Sequence, residues 1–164
     1  MSLDVAQRRA LLAHPGGWIA CGFGSGLSPV APGTAGSLAA LLPWLALREL
    51  PWPLYLGALA LVFVLGTWAS NVAIARLRIA DPGAVVIDEF VGQWIALLPL
   101  VIAPQTWPWI VAGFALFRLF DVWKPWPVSW ADRRVKGGFG VMLDDVVAGV
   151  YAAIALALAL HFIS

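Results

Sequence analysis

Four long blocks of the 164-residue chain carry no Asp, Glu, Lys or Arg: residues 10–47, 50–75, 90–117 and 146–164. About 20 apolar residues cross the hydrocarbon core of a bilayer, so each block is span-sized. Breakers within the blocks predict the elements. A short polar helix runs from Asp4 to Ala13 and ends at His14-Pro15-Gly16-Gly17. The segment GFGSGLSPVAPGTAGS, residues 22–37, holds five Gly and two Pro and reads as a loop. A short apolar helix, Ser37 to Leu47, follows, and Pro51 and Pro53 mark the turn into a second, Leu54 to Ala75, which Arg76 and Arg78 end. The segment DPGAVVIDEFVGQW, residues 81–94, opens a third helix, and Pro99, Pro104 and Pro108 predict a break near 103–108. Each half of 90–117 then needs its charged end to cross, which puts Asp88 and Glu89 at the start of the third helix and Arg118 and Asp121 on the last turns of the fourth. A fifth helix runs from Val146 to about Phe162, beginning at the Asp144-Asp145 pair. The expected fold is all-α, a polytopic membrane bundle of about five helices.

Composition strengthens this reading: 62% of residues are hydrophobic, 12% are charged, and ten are Trp. Length predicts a single domain over residues 1–164. No cleavable leader is expected, because Arg8 and Arg9 precede a Gly/Pro-rich segment rather than a compact apolar run. Threading five helices from an inner N-terminus puts nine of the ten basic residues on one side, with only Arg48 outside. The positive-inside rule makes that side cytoplasmic. Trp52, Trp107 and Trp109 then fall near the outer boundary and Trp18, Trp123, Trp126 and Trp130 near the inner one, as an aromatic belt would. A net charge of +1 gives no reason to expect nucleic acid as a partner. The single cysteine, Cys21, excludes an internal disulfide and a Cys-based metal cluster. With no Arg following at phosphate-cradling distance, it reads as a small buried residue and not a nucleophile.

Charge is what the apolar chain has least of, and FRLFDVWKPWPVSWADRRVKGGFGVMLDDVVAG, residues 117–149, concentrates it. Asp-Asp ahead of an apolar run also reads as a helix cap, and basic residues beside a span also read as orienting charges. The threading, however, brings this stretch, the Gly/Ser loop 22–37 and the start of the third helix to one cytoplasmic edge. Carboxylates at that depth are costly unless they face a protein-lined, hydrated cavity. Hard oxygen donors from Asp88, Glu89, Asp121, Asp144 and Asp145 suit Mg²⁺, which binds through a few carboxylates plus substrate phosphate. Lys124, Arg133, Arg134 and Lys136 suit phosphate oxygens, and the Gly-rich loop with Ser25 and Thr34 could add backbone N–H and hydroxyl donors. The reaction class this supports is metal-assisted phosphoryl transfer to water, with Asp88, Glu89, Asp121 and Asp145 as the catalytic candidates and a phosphorylated lipid as substrate.

Three ordered strings, GFGSGLSPVAPGTAGS, VVIDEFVGQW and FRLFDVWKPWPVSWADRRVKGGFGVMLDDVVAGVYA, closely resemble the phosphatidylglycerophosphatase A family. The likeness is dense over 22–37, 81–94 and 117–152 and weak in the apolar helices between. It implies Mg²⁺-dependent hydrolysis of phosphatidylglycerophosphate to phosphatidylglycerol and phosphate in a bacterial inner membrane, and the threading turns the active site to the cytoplasm. Asp88, Glu89, Asp121, Lys124, Arg133, Lys136, Asp144 and Asp145 match the family pattern. The competing class is a transporter or channel for an anionic or phosphorylated solute. Its site would lie near the bilayer midplane, whereas these charges gather at one edge.

Overall fold

The computed structural model describes residues 3–103 and 106–163, and every regular element among them is helical. The helices are α1 (Val5–Leu12), α2 (Pro15–Ala20), α3 (Pro32–Leu47), α4 (Trp52–Leu77), α5 (Ile87–Ala96), α6 (Leu98–Ile102), α7 (Trp107–Trp123), α8 (Val128–Arg134) and α9 (Gly137–Ile163), with a 3-10 segment over Gly22–Leu27. Two of them, α4 with 26 residues and α9 with 27, are long and apolar enough to cross a membrane. α3 is apolar but shorter.

Local chemistry accounts for most boundaries. Asp4 and Gln7 form a reciprocal capping box at the start of α1. His14 caps α2, its Nδ1 accepting the Gly16 N–H at 3.0 Å, with Pro15 in the first turn. α4 stops where Arg78 turns left-handed at φ 55°.

Three boundaries differ from the sequence expectation. The loop ends at residue 31, not 37, since Ala31 turns left-handed and Pro32 starts α3, so Thr34 and Ser37 are helical. The expected break near 103–108 is present, since α6 ends at Ile102 and α7 starts at Trp107, but the third helix is also interrupted at Leu97, because Pro99 has no N–H to give the Ile95 carbonyl. Pro104 lies outside the described residues. α9 starts nine residues early, at Gly137, so that the Gly-Gly-Phe-Gly sequence forms its first turns and Asp144 and Asp145 lie inside the helix. Asn71 of α4 supplies the missing cap, its Oδ1 accepting the Gly138 N–H at 2.8 Å.

The short helix α5 is the axis of the molecule, buried on nearly every side by α3, α4, α7 and α9. Its partners approach closely because glycine leaves room. A Cβ on Gly149 of α9 would lie 2.5 Å from the Gly92 carbonyl oxygen of α5. Trp94 ties the axis to two neighbours: its carbonyl accepts the Tyr55 hydroxyl at 2.7 Å, and its indole N–H donates to the Ala40 carbonyl at 2.8 Å. Outer positions of the long helices, such as Leu61, Val64, Ile154 and Leu158, stay exposed, as lipid-facing side chains would.

Candidate active site

At one end of the bundle the starts of α3, α5 and α9, the end of α7 and one face of α8 enclose a polar cavity of about 320 Å³. Asp88, Glu89, Asp121, Lys124, Lys136, Asp144 and Asp145 all line it, and Asp81 and Asp132 join them at the wall. These residues come from five separate segments, and helix direction explains their meeting: α5 and α9 begin here and α7 ends here.

Two basic side chains organise the carboxylates. Arg118 of α7 donates through Nη1 to Glu89 Oε2, and the Ser37 hydroxyl donates to the same oxygen at 2.6 Å. The guanidinium also pairs with Asp121 Oδ2 at 2.8 Å, one turn further along α7. Lys124 sits just past the end of α7 in a left-handed conformation, φ 48°. Its ammonium donates to Asp132 Oδ1 at 2.6 Å and to Asp144 Oδ2 at 2.7 Å. Burial alone would lower the pKa of this lysine, but its bonds to the two carboxylates outweigh that and hold it above its ordinary value. Lys124 is therefore a fixed cation.

Asp88 and Asp145 have no such basic partner among the described residues. Asp88 accepts the Glu89 N–H at 3.0 Å, and Asp145, 3% exposed, has a buried Oδ2 with no hydrogen-bond donor. Among the described residues no three acidic, His or Cys side chains stand at metal-ligand spacing. The donor chemistry nevertheless suits a hard divalent ion. Seven carboxylates line the cavity, Arg118 and Lys124 engage only Glu89, Asp121, Asp132 and Asp144 of them, and buried carboxylates left without a countercharge are costly.

The remaining sequence candidates fall elsewhere. Ser25 turns its hydroxyl to the Gly22 carbonyl, 2.9 Å away, in the 3-10 segment. Thr34 follows the cavity-lining Pro32 and Gly33 without lining the cavity itself. Arg133 donates to the Ser129 carbonyl at 3.0 Å on exposed α8, and Arg134 is exposed beside it. None of these four borders the cavity. Cys21 is likewise outside it, fully buried, with burial pushing its thiol pKa up. The structure adds Arg118, Ser37 and Asp132. A visible signal for Arg118 was its place one helical turn before Asp121. Ser37 was visible only as one hydroxyl donor of the Gly/Ser loop, and its bond to Glu89 depends on α3 starting at Pro32.

The sequence profile of the family described as phosphatidylglycerophosphatase A matches residues 18–160. Phosphatidylglycerophosphatase A of Escherichia coli (strain K12) is 46% identical over 150 residues, 92% of this chain and 86% of that protein. The Haemophilus influenzae protein of the same name is 43% identical over 148 residues, covering 90% of each. A Bacteroides thetaiotaomicron protein provisionally named a phosphatidylinositol-3-phosphatase is 48% identical over 148 residues, covering 86% of this chain and 91% of its own length. No solved structure matches. The profile covers nearly the whole helical bundle, including every segment that walls the cavity, and on that footing the chain belongs to the phosphatidylglycerophosphatase A family.

Proposed function

We propose that this protein hydrolyses the phosphomonoester of phosphatidylglycerophosphate, releasing phosphatidylglycerol and inorganic phosphate, with Mg²⁺, at the cytoplasmic face of a bacterial inner membrane. The observation that carries the reading is the carboxylate-lined cavity with its unpartnered Asp145, in a chain similar over most of its length to phosphatidylglycerophosphatases of two bacteria. Asp88 and Asp145 would be the first ligands of a Mg²⁺ ion, with Asp144, Asp121 and the free oxygen of Glu89 beside them. Bound there, the ion would offset charge on the phosphoryl group and favour water as the nucleophile. Lys124 and Lys136 supply the positive wall against which phosphate oxygens would rest. Water adds to phosphorus, the bond from phosphorus to the glycerol oxygen breaks, and that oxygen leaves with a proton, so the products balance as alcohol and phosphate.

In the membrane, α4 and α9 cross fully, and α3, α5 with α6, and α7 are the shorter embedded helices packed around them. Trp52 and Trp107 are exposed at the starts of α4 and α7, while Trp123, Trp126 and Trp130 are exposed around the end of α7, which supports two interfaces. The threading from an inner N-terminus leaves the cavity on the side rich in Lys and Arg.

A second substrate, phosphatidylinositol 3-phosphate, is favoured by the name of the Bacteroides relative. One assay separates the readings. Phosphate release by purified protein is measured on both lipids, with EDTA and then with Mg²⁺ restored. Turnover of phosphatidylglycerophosphate that EDTA abolishes and Mg²⁺ restores is expected. Full activity in EDTA would remove the metal from the proposal, and preference for the inositol lipid would replace the substrate.

A further inference from the structure

We infer that Arg118 is a positioning residue of this reaction: its guanidinium fixes Glu89 and Asp121 relative to each other, and turnover depends on that bridge. The inference rests on the reading of the carboxylate cavity as the active site. Arg118 is not itself part of the cavity wall, so it acts only through groups that are.

The geometry is that of a clamp. From α7 the side chain, 18% exposed, reaches Glu89 Oε2 on α5, the Ser37 hydroxyl on α3 at 3.2 Å and Asp121 Oδ2 on its own helix at 2.8 Å. Three helices are thereby joined through one planar group. Ser37 also donates to the Glu89 oxygen that Arg118 holds, so that oxygen is taken from two directions and only Oε1 is left toward the cavity. The backbone makes space for this arrangement at Gly33, where a Cβ would stand 2.2 Å from Glu89 Oε1 and 3.4 Å from Arg118 Nη2. Fold stability alone is a poor reason for such a group. A largely buried ion pair can often be exchanged for apolar side chains of similar volume at no cost, so what the bridge adds is a defined carboxylate arrangement. All three contacts fall on one nitrogen, Nη1, which the rigid guanidinium holds at a fixed reach from α7; a lysine ammonium, on a shorter and freely rotating stem, would not be held at that point.

The test uses the full-length protein in phospholipid–detergent micelles, with Arg118→Lys, Arg118→Ala, Gly33→Ala, Glu89→Gln and the double variant Glu89→Gln/Arg118→Lys. Arg118→Lys is expected to lower kcat by about 100-fold with KM within threefold, as loss of a group acting in the transition state does. Mn²⁺ binding, followed by electron paramagnetic resonance in the absence of substrate, is expected to weaken at least tenfold in the same variant, because its ligand set is no longer held. In the Glu89→Gln background the Arg118→Lys change is expected to cost less than threefold more, since the bridge is already broken. Gly33→Ala, which displaces Glu89 and leaves Arg118 in place, is expected to reproduce the kcat loss, and it carries the test if Arg118→Ala does not fold. Losses that multiply in the double variant, or an Arg118→Lys protein with wild-type kcat and Mn²⁺ binding, would overturn the inference. If Glu89→Gln and Asp145→Asn are also fully active, the active-site reading falls with it. If those two are inactive while Arg118→Lys is not, only the clamp is lost.

Discussion

The two ends of α9 obey different rules. From Gly137 to Asp145 five of the nine positions are constrained by their surroundings: Gly138 by the Thr67 carbonyl, Gly140 by the Val135 carbonyl, Met142 by its burial, Asp144 by Lys124, and Asp145 by the cavity. From Val146 onward only one stripe, Ala148, Gly149, Ala152 and Leu156, is buried, and Val150, Ile154, Leu158 and Phe162 are exposed at four-residue spacing. One helix thus forms the cavity wall at its start and presents an exposed apolar face along much of its remainder. Identity should matter residue by residue in the first part and mainly as hydropathy on the outer face of the second.

The strongest way to break that contrast is Asp145→Asn, which keeps shape and removes charge. If Asp145 serves the metal, phosphate release should fall by about two orders of magnitude or more while the protein still folds, each tenfold being about 1.4 kcal/mol of transition-state stabilisation. A smaller expected effect is Gly138→Ala. The new Cβ would stand 2.2 Å from the Thr67 carbonyl oxygen, so α9 must move away from α4. Overpacking of this kind costs roughly 1–3 kcal/mol. A lowered thermal midpoint in detergent, with some loss of turnover, is the result that fits. The smallest is Leu158→Val in the outer stripe, 53% exposed, where stability should stay within about 0.5 kcal/mol and activity should not change. Comparable damage from Leu158→Val and Gly138→Ala would show that the two halves are not distinct.

Much of this was legible from the sequence where the physics is one-dimensional. α4 appeared within two residues of its observed bounds at both ends, because Pro51, Pro53, Arg76 and Arg78 punctuate an otherwise apolar run. The cavity carboxylates stood out for a related reason: in a chain with 12% charged residues, each charge needs an account. What stayed hidden depends on close approach in space. Glycine disfavours helix interiors, so the expected fifth helix began only at Val146, well after Gly-Gly-Phe-Gly. α9 tolerates it there because two carbonyl groups press against that surface and Asn71 caps the end. The phosphate candidate Thr34 fell to the misplaced loop boundary, since α3 already begins at Pro32, and Ser25 to the 3-10 turn in which its hydroxyl bonds the Gly22 carbonyl. α8, a single short helix between Pro127 and Gly137, left no periodic signature of its own.

Lys124 meets its two carboxylates before any substrate arrives. An incoming phosphate would therefore replace Asp132 or Asp144 as its partner rather than gain a bare cation, and the leaving phosphate would hand the lysine back. Binding of this kind would be an exchange between near equals, so product would not be trapped by the charge that recruits it. Inorganic phosphate should inhibit the enzyme only weakly. Asp132→Asn, which removes one resident competitor, should tighten that inhibition several-fold while slowing turnover at high phosphate; unchanged inhibition would mean that the lysine never changes hands.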